Sequence, residues 1–250
     1  MKDNKPNESR IALVTGAGGA LGAAIARALL AEGHRVVLTD ADQGALSAVA
    51  KELGEGTLPV AFDVSDAAAV KAACDTIQKT WGAVDILVNN AGILSNNKIA
   101  ETSPEEWRRI MAVNIDGPYL LCREWVPAMR ERRWGRIINI CSLAMKTGGL
   151  TAGTAYTTSK GALGALTFSL ARELAPHGVT ANGIAPAYVK TKMVTHQLTE
   201  EQRQELLRGI PVGRFCEPEE VAHAVVFLSS PLAGFITGEI VDVNGGLHLD

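Results

Sequence analysis

The run Ile11-Ala12-Leu13-Val14-Thr15 is apolar on both of its faces. It passes without a spacer into Gly16-Ala17-Gly18-Gly19-Ala20-Leu21-Gly22 and then into an Ala-rich helical pattern. A strand with no wet side has to be covered above and below, which is the condition of a parallel sheet between two helix layers. The same grammar recurs along the chain. Strand candidates lie at 10–15, 35–39, 58–62, 86–89, 136–141, 179–184 and 239–243, with helical stretches such as 20–32 and 67–81 between them. Alternation of this kind predicts right-handed βαβ units. The fold expected is one α/β, Rossmann-type doubly wound domain of about seven parallel strands with helices on both faces. It takes residues 10–250, behind a flexible polar tail at 1–9, MKDNKPNES.

Helix punctuation agrees with this partition. Gly33 takes the left-handed cap that ends the first helix. Ser103-Pro104-Glu105-Glu106 opens another, with an N-cap serine, proline at the first position and acids at the positive end of the helix. Asp66 and Glu217-Pro218-Glu219 repeat that logic.

Composition narrows the partners. Lys and Arg number 24 against 27 Asp and Glu, a net charge of −3, which gives no general attraction to nucleic acid. The apolar share of 47% excludes a disordered chain. Cys74, Cys122, Cys141 and Cys216 form no CxxC pair and read as free thiols of a reducing compartment. The sequence holds no apolar run of the length that spans a bilayer, so the expectation is a cytoplasmic protein without a membrane partner. Five scattered histidines (34, 177, 196, 223, 248) lack metal-ligand spacing, and no metal is expected.

The glycine-rich turn is the first chemical signal. A backbone that turns sharply and lets a phosphate approach has no room for Cβ atoms, and the helix behind it offers free N–H groups and a positive dipole end to a pyrophosphate. Asp40 closes the second strand. A carboxylate there can accept hydrogen bonds from both hydroxyls of an adenosine ribose and repels a 2′-phosphate. No Arg or Lys occurs at 16–22 or 41–44, which favours NAD over NADP. Asp40 can alternatively cap the following helix. Asp63, after the third strand, suits either the adenine edge or a simple turn.

TGAGGALG (15–22), Asp40, FDVSD (62–66), NNAG (89–92), Asn114, Ser142, Tyr156-Thr-Thr-Ser-Lys160 and VDVNGG (241–246) together resemble the short-chain dehydrogenase/reductase family, over about residues 10–247. The resemblance implies an oxidoreductase that moves a hydride between NAD(H) and the carbonyl or secondary-alcohol carbon of a small or medium-sized substrate. It implies a catalytic set of Asn114, Ser142, Tyr156 and Lys160. It also implies cofactor contacts from Gly16, Gly19, Ala20, Leu21, Asp40, Asp63, Val64, Asn90, Ala91, Gly92, Tyr156, Lys160, Pro186, Val189 and Thr191, and a homotetramer or homodimer. Tyr156 would be the general acid/base, Ser142 would orient the substrate oxygen, Lys160 would hold the nicotinamide ribose, and Asn114 would support a water chain. A free tyrosine has a pKa near 10, and lowering it by ~3 units requires about 4 kcal/mol of differential stabilisation. The Lys160 ammonium and the positive nicotinamide are the expected sources.

A second Tyr-x-x-x-Lys match, Tyr188 and Lys192, follows Pro186 in a loop and reads as a decoy, with Tyr188 also placed to line a pocket. Three departures from the family pattern stand out: Ala20 for a middle glycine, Ala187 for the glycine after proline, and a Ser142–Tyr156 spacing of 14, one more than usual. The extra residue falls in LAMKTGGLTAG. Pocket walls are expected at 93–99, 143–154 and 187–208, where Met145, Met193 and Tyr188 mix with Lys146, Lys190 and Lys192. That mixture suits a substrate with apolar and anionic parts, beneath an amphipathic lid at 191–209. The run Arg130-Glu131-Arg132-Arg133-Trp134-Gly135-Arg136 is expected to end a solvated helix. Rival readings are a 3-oxoacyl-thioester (acyl-carrier-protein) reductase using NADPH, a dinucleotide-binding protein without turnover, and a Rossmann methyltransferase, which would need neither Tyr156 nor Lys160.

Overall fold

The computed structural model describes residues 9–191 and 199–249. Its seven strands are β1 (Ile11–Thr15), β2 (Arg35–Thr39), β3 (Thr57–Pro59), β4 (Ile86–Asn89), β5 (Gly135–Ile140), β6 (Val179–Pro186) and β7 (Ile240–Val243). They form one sheet in the order β3-β2-β1-β4-β5-β6-β7, and every pair is parallel. The doubly wound α/β expectation therefore holds.

Alternate residues of each strand serve opposite cores. Leu13, Val37, Leu87, Ile137 and Ala181 point to one face. Ala12, Val14, Val36, Leu38, Ile86, Val88, Ile138 and Ile184 point to the other. The first face is covered by α3 (Ala67–Thr80), α5 (Gly117–Arg132) and α7 (Thr154–Leu174). The second is covered by α1 (Ala20–Ala31), α2 (Gln43–Leu53) and α9 (Pro218–Ser229). Three shorter helices complete the set: α4 (Pro104–Met111), α6 (Ala144–Thr147) and α8 (Glu200–Gly209).

Two strand ends differ from the sequence reading by more than one residue. The edge strand β3 stops at Pro59, short of the expected 62, although Val60 N and Phe62 N still donate to Leu38 O and Asp40 O at 2.9 and 3.1 Å. Conversely, β6 runs on to Pro186, because Ala185 and Pro186 pair with Asp242 and Val243 of β7 beyond the end of β5. The basic run is not wholly solvated either. Helix α5 ends at Arg132, Arg133 takes a left-handed φ of 54°, and Arg136 is buried on β5 with its guanidinium 4.6 Å from the Trp134 ring. Gly33 (φ 84°), Ser103, Asp66 and Glu217 end or cap their helices as expected.

The chain reverses direction across the sheet at the β1/β4 boundary, which opens a crevice beyond the carboxyl ends of the strands. The motifs from TGAGGALG to the Tyr156–Lys160 pair follow those ends or lie on a helix that faces the crevice.

Candidate active site

At the mouth of β1, Gly16 has φ +65°, and a Cβ there would lie 3.0 Å from Ala91 Cα. Gly22 is more constrained, since a Cβ on it would lie 2.2 Å from Gly16 O. The first turn of α1 is therefore folded directly onto the loop. Asp42, Asp66 and Ser103 accept backbone N–H bonds at the starts of α2, α3 and α4, but Gly19 caps α1 with no side chain. The free N–H groups of that turn face a cavity of about 720 Å³ lined by Gly16, Gly18, Gly19, Ala20, Leu21 and Gly22. A cradle that a methyl would fill, with uncapped donors and no acid in the first turn, fits a dinucleotide pyrophosphate.

Asp40 lines the same cavity. One of its oxygens accepts from Gly18 N at 3.0 Å and the other from Asp42 N at 3.0 Å. Asp42 caps α2, so the alternative role for Asp40 falls to its neighbour. Asp63 closes a turn by accepting from Ser65 N and Oγ at 2.9 and 2.7 Å, as its simpler reading expected, and it lines the cavity with Val64. Asn90 donates from Nδ2 to Thr15 O at 2.8 Å, while Thr15 Oγ1 accepts from Asn90 N and Ala91 N at 2.9 Å each. Thr15 thus locks the β4 turn against the β1 turn. Its place at the head of the glycine motif was a signal of this role, and Gly18 and Gly22 likewise belong to the cradle. Gly92, Pro186, Val189 and Thr191 line the cavity too.

The other end is built on β5 and α7. Ser142 follows β5, and Tyr156 and Lys160 lie one turn apart on α7, all three lining the cavity. Lys160 Nζ donates to Ile140 O at 2.6 Å and lies 5.8 Å from the centroid of the Tyr156 ring. Asn114 sits in a π-helical turn, Ala112–Asp116, where α4 passes into α5. The wide turn buries its side chain fully. Its Nδ2 donates to Ile93 O at 3.0 Å and to Ser159 Oγ at 2.9 Å, and its Oδ1 accepts from Ile93 N at 2.9 Å. Ser159 Oγ in turn donates to Tyr156 O at 2.7 Å. Sequence reasoning passed over Ser159, although it stands inside the Tyr156–Lys160 motif.

Electrostatics run against one expectation. Burial pushes the Tyr156 phenol above its ordinary value, opposed by a hydrogen bond with Ser142. Burial also pushes the Lys160 ammonium down to about 8. The ammonium is aimed at a carbonyl rather than at the phenol oxygen, so desolvation governs both groups. Within the protein alone the phenol is not made acidic.

The substrate walls also differ from expectation. Lys146 pairs with Asp242 at 2.7 Å and Lys190 with Glu217 at 2.9 Å, and neither lines the cavity. Met145 packs against Leu163 and Ile240 instead. Lys192, Met193 and the first half of the expected lid lie outside the described residues; α8 is helical as expected and contributes Leu206 to the cavity. Tyr188 lines the cavity and is no mere decoy. The segment between Ser142 and Tyr156 passes through α6 and then Gly148 and Gly149, with φ of 76° and 81°.

Residues 16–248 match the family model described as enoyl-(acyl carrier protein) reductase. The chain is 40% identical over 242 residues to the 3-oxoacyl-[acyl-carrier-protein] reductase of Vibrio harveyi, covering 97% of this chain and 98% of that one. This chain belongs to the short-chain dehydrogenase/reductase family. A solved member from Brucella melitensis, a short-chain dehydrogenase/reductase of the glucose/ribitol dehydrogenase type, superposes with a TM-score of 0.91 at 35% identity, over 98% of this chain and 99% of that one. A 3-ketoacyl-(acyl-carrier-protein) reductase from the same organism, solved in complex with NADH, gives a TM-score of 0.91 at 35% identity over 97% and 99%. As a member of this family the chain is an oxidoreductase acting on CH–OH groups with a nicotinamide dinucleotide cofactor. Among the described residues no helix is long and apolar enough to cross a membrane.

Proposed function

We propose that this enzyme reduces the ketone of a 3-oxoacyl thioester, and oxidises the corresponding 3-hydroxy compound, with NAD(H) preferred over NADP(H). The observation that carries the cofactor preference is Asp40. Its carboxylate is held by Gly18 N and Asp42 N at the ribose end of the cradle. No lysine or arginine from 16–22 or 41–44 stands beside it to receive a 2′-phosphate. NADH in the Brucella reductase is consistent with that reading.

The substrate class rests on the relatives and on the far wall. Leu94, Leu143, Leu150, Ala152, Leu206 and Tyr188 line that wall, while Lys146 and Lys190 pair with Asp242 and Glu217. Those apolar side chains suit an acyl chain, and Arg109 lines the same cavity.

In this reading Tyr156 and Ser142 hold the ketone oxygen. The phenol is protonated at neutral pH because burial raises it, and it donates its proton to the oxygen as the alcohol forms. A nicotinamide bound at this end would supply the hydride. Lys160 fixes the floor of the site through Ile140 O and carries the donors available to a ribose. Asn114 is a positioning residue, because its side chain is committed to Ile93 and Ser159 and acts on the α7 backbone at Tyr156.

We further propose that the chain works in the cytoplasm as a homodimer or homotetramer on a small-molecule substrate. The test is kinetic. With acetoacetyl-coenzyme A, kcat/KM with NADH should exceed that with NADPH. Replacing Asp40 by Ser should lower the NADH-to-NADPH ratio on the order of ten- to a hundredfold, the cost of a charged hydrogen-bond set. A wild-type preference for NADPH would overturn the cofactor assignment, and turnover of polyols but of no 3-oxoacyl compound would overturn the substrate class.

A further inference from the structure

The two loops that close the far wall of the cavity are stitched together by one lysine outside any motif. Lys98 Nζ donates to Gly149 O at 3.0 Å and to Ala152 O at 2.6 Å. Backbone bonds flank this contact: Gly153 N donates to Ser95 O at 2.7 Å and Thr154 N to Asn97 O at 3.0 Å. The approach is close enough that a Cβ on Gly153 would lie 2.3 Å from Asn97 O. Gly149 is equally confined. Its φ is +81°, and a Cβ there would meet Thr157 Oγ1 at 2.2 Å and Ala152 O at 2.7 Å. The loop is thus bent so that its two carbonyls converge on a single ammonium. An ammonium has three donors and no acceptor, so it can join two carbonyls where a neutral side chain of the same length cannot.

The bridged loops bound the cavity. Asn96 lines it from one loop, and Thr147, Leu150, Thr151 and Ala152 line it from the other. This second loop is also the one that carries the extra residue between Ser142 and Tyr156. A longer loop has more conformations to lose, and Leu150 remains exposed at its tip, so burial of that side chain does not hold it.

We propose that Lys98 is a specificity-determining positioning residue: by tying Gly149 O and Ala152 O to the 93–98 loop, it fixes the wall against which the acyl part of the substrate lies. It touches none of the reacting atoms and acts through Leu150, Thr151 and Ala152. The substrate half of this proposal rests on the 3-oxoacyl reading; the clamp itself does not.

The experiment therefore has two arms. Hydrogen exchange of backbone amides is compared for wild type, Lys98→Met and Lys98→Arg without substrate. Exchange at 147–154 should quicken at least tenfold in Lys98→Met and return toward wild type in Lys98→Arg, while the 16–22 and 89–92 segments stay unchanged. Kinetics with NADH and 3-oxoacyl-coenzyme A thioesters of increasing chain length form the second arm. In Lys98→Met, KM should rise roughly three- to tenfold for chains long enough to reach the loop, the scale of losing a charge-assisted hydrogen bond. For acetoacetyl-coenzyme A it should change less than twofold, with kcat and the Kd for NADH unaltered throughout. Unchanged exchange at 147–154 overturns the clamp. Quickened exchange with equal KM changes at every chain length, or with a matching fall in kcat, reduces Lys98 to general scaffolding and overturns its role in specificity. If no thioester is turned over while exchange responds as described, the clamp stands and the substrate reading fails.

Discussion

The two ends of the cleft are made in different ways. The proposed cofactor end is shaped mainly by backbone, with the Asp40 carboxylate beside it: Gly16 and Gly22 leave no room for a methyl, the Thr15 and Asn90 side chains tie two strand ends together, and uncapped N–H groups face inward. The substrate end is side chains on loops, held by a lysine bridge and two backbone bonds. A shape set by backbone allows few alternatives, and one ligand can be shared across a family. A wall set by side chains can be rebuilt one residue at a time, and so can carry differences between substrates.

The largest effect should come where the two ends meet. Tyr156→Phe removes the hydroxyl proposed to give the substrate oxygen its proton. It should lower kcat by on the order of 10³-fold while the Kd for NADH, read by fluorescence titration, moves less than twofold. A variant that keeps a tenth of the wild-type kcat would remove Tyr156 from its role.

Next come the backbone constraints. Gly22→Ala puts a methyl 2.2 Å from Gly16 O, so the loop or the helix has to shift. NADH binding should weaken by about tenfold or more, roughly 1.4 kcal/mol, with a lowered Tm. Ala20→Gly is the control. Ala20 is exposed to the cavity and its methyl is already accommodated, so binding should change less than twofold. Equal responses of the two variants would contradict a cradle built on Gly22.

A subtler test uses pH. Burial holds the Lys160 ammonium at about 8 against an ordinary 10.5, so between these values the unfolded chain keeps a proton that the folded one has released. Folding stability should then rise with pH across that window, being lowest, so far as this group is concerned, below about 8. Relative to Lys160→Met, wild type should gain on the order of 3 kcal/mol from pH 8 to 10.5 in denaturant titrations. Parallel pH profiles for the two proteins would mean that the ammonium is better solvated than its burial suggests.

The smallest effect belongs to the substrate wall. Leu150→Ala trims an exposed side chain at the loop tip and should raise KM for a long-chain substrate about two- to fivefold, without touching NADH affinity. A loss of NADH affinity would show that the two ends are less independent than their construction implies.

Much of this molecule was legible before its coordinates. Strand periodicity gave the two cores, because residues two apart must share a face; Leu13 and Ala12 went to opposite layers for that reason alone. The order of motifs along the chain likewise placed Asp40, Asn90 and Ser142 after strand ends and Tyr156 on a helix, all facing one crevice. The sequence reading faltered where the outcome depended on partners distant in the chain. Lys146 and Lys190 looked like substrate contacts until Asp242 and Glu217 were seen beside them, 96 and 27 residues away. Arg136 looked solvated until Trp134 and the β5 interior enclosed it.

By itself, then, the amino-acid order determined the layers, the parallel sheet and the glycine cradle, since each follows from local sterics and the period of apolar residues. Only the tertiary structure decided which charges are paired, that the Tyr156 phenol is raised rather than lowered, and that Lys98 bridges two loops. Those outcomes depend on distance and desolvation between segments far apart in the chain, and neither quantity is written in the spacing of residues.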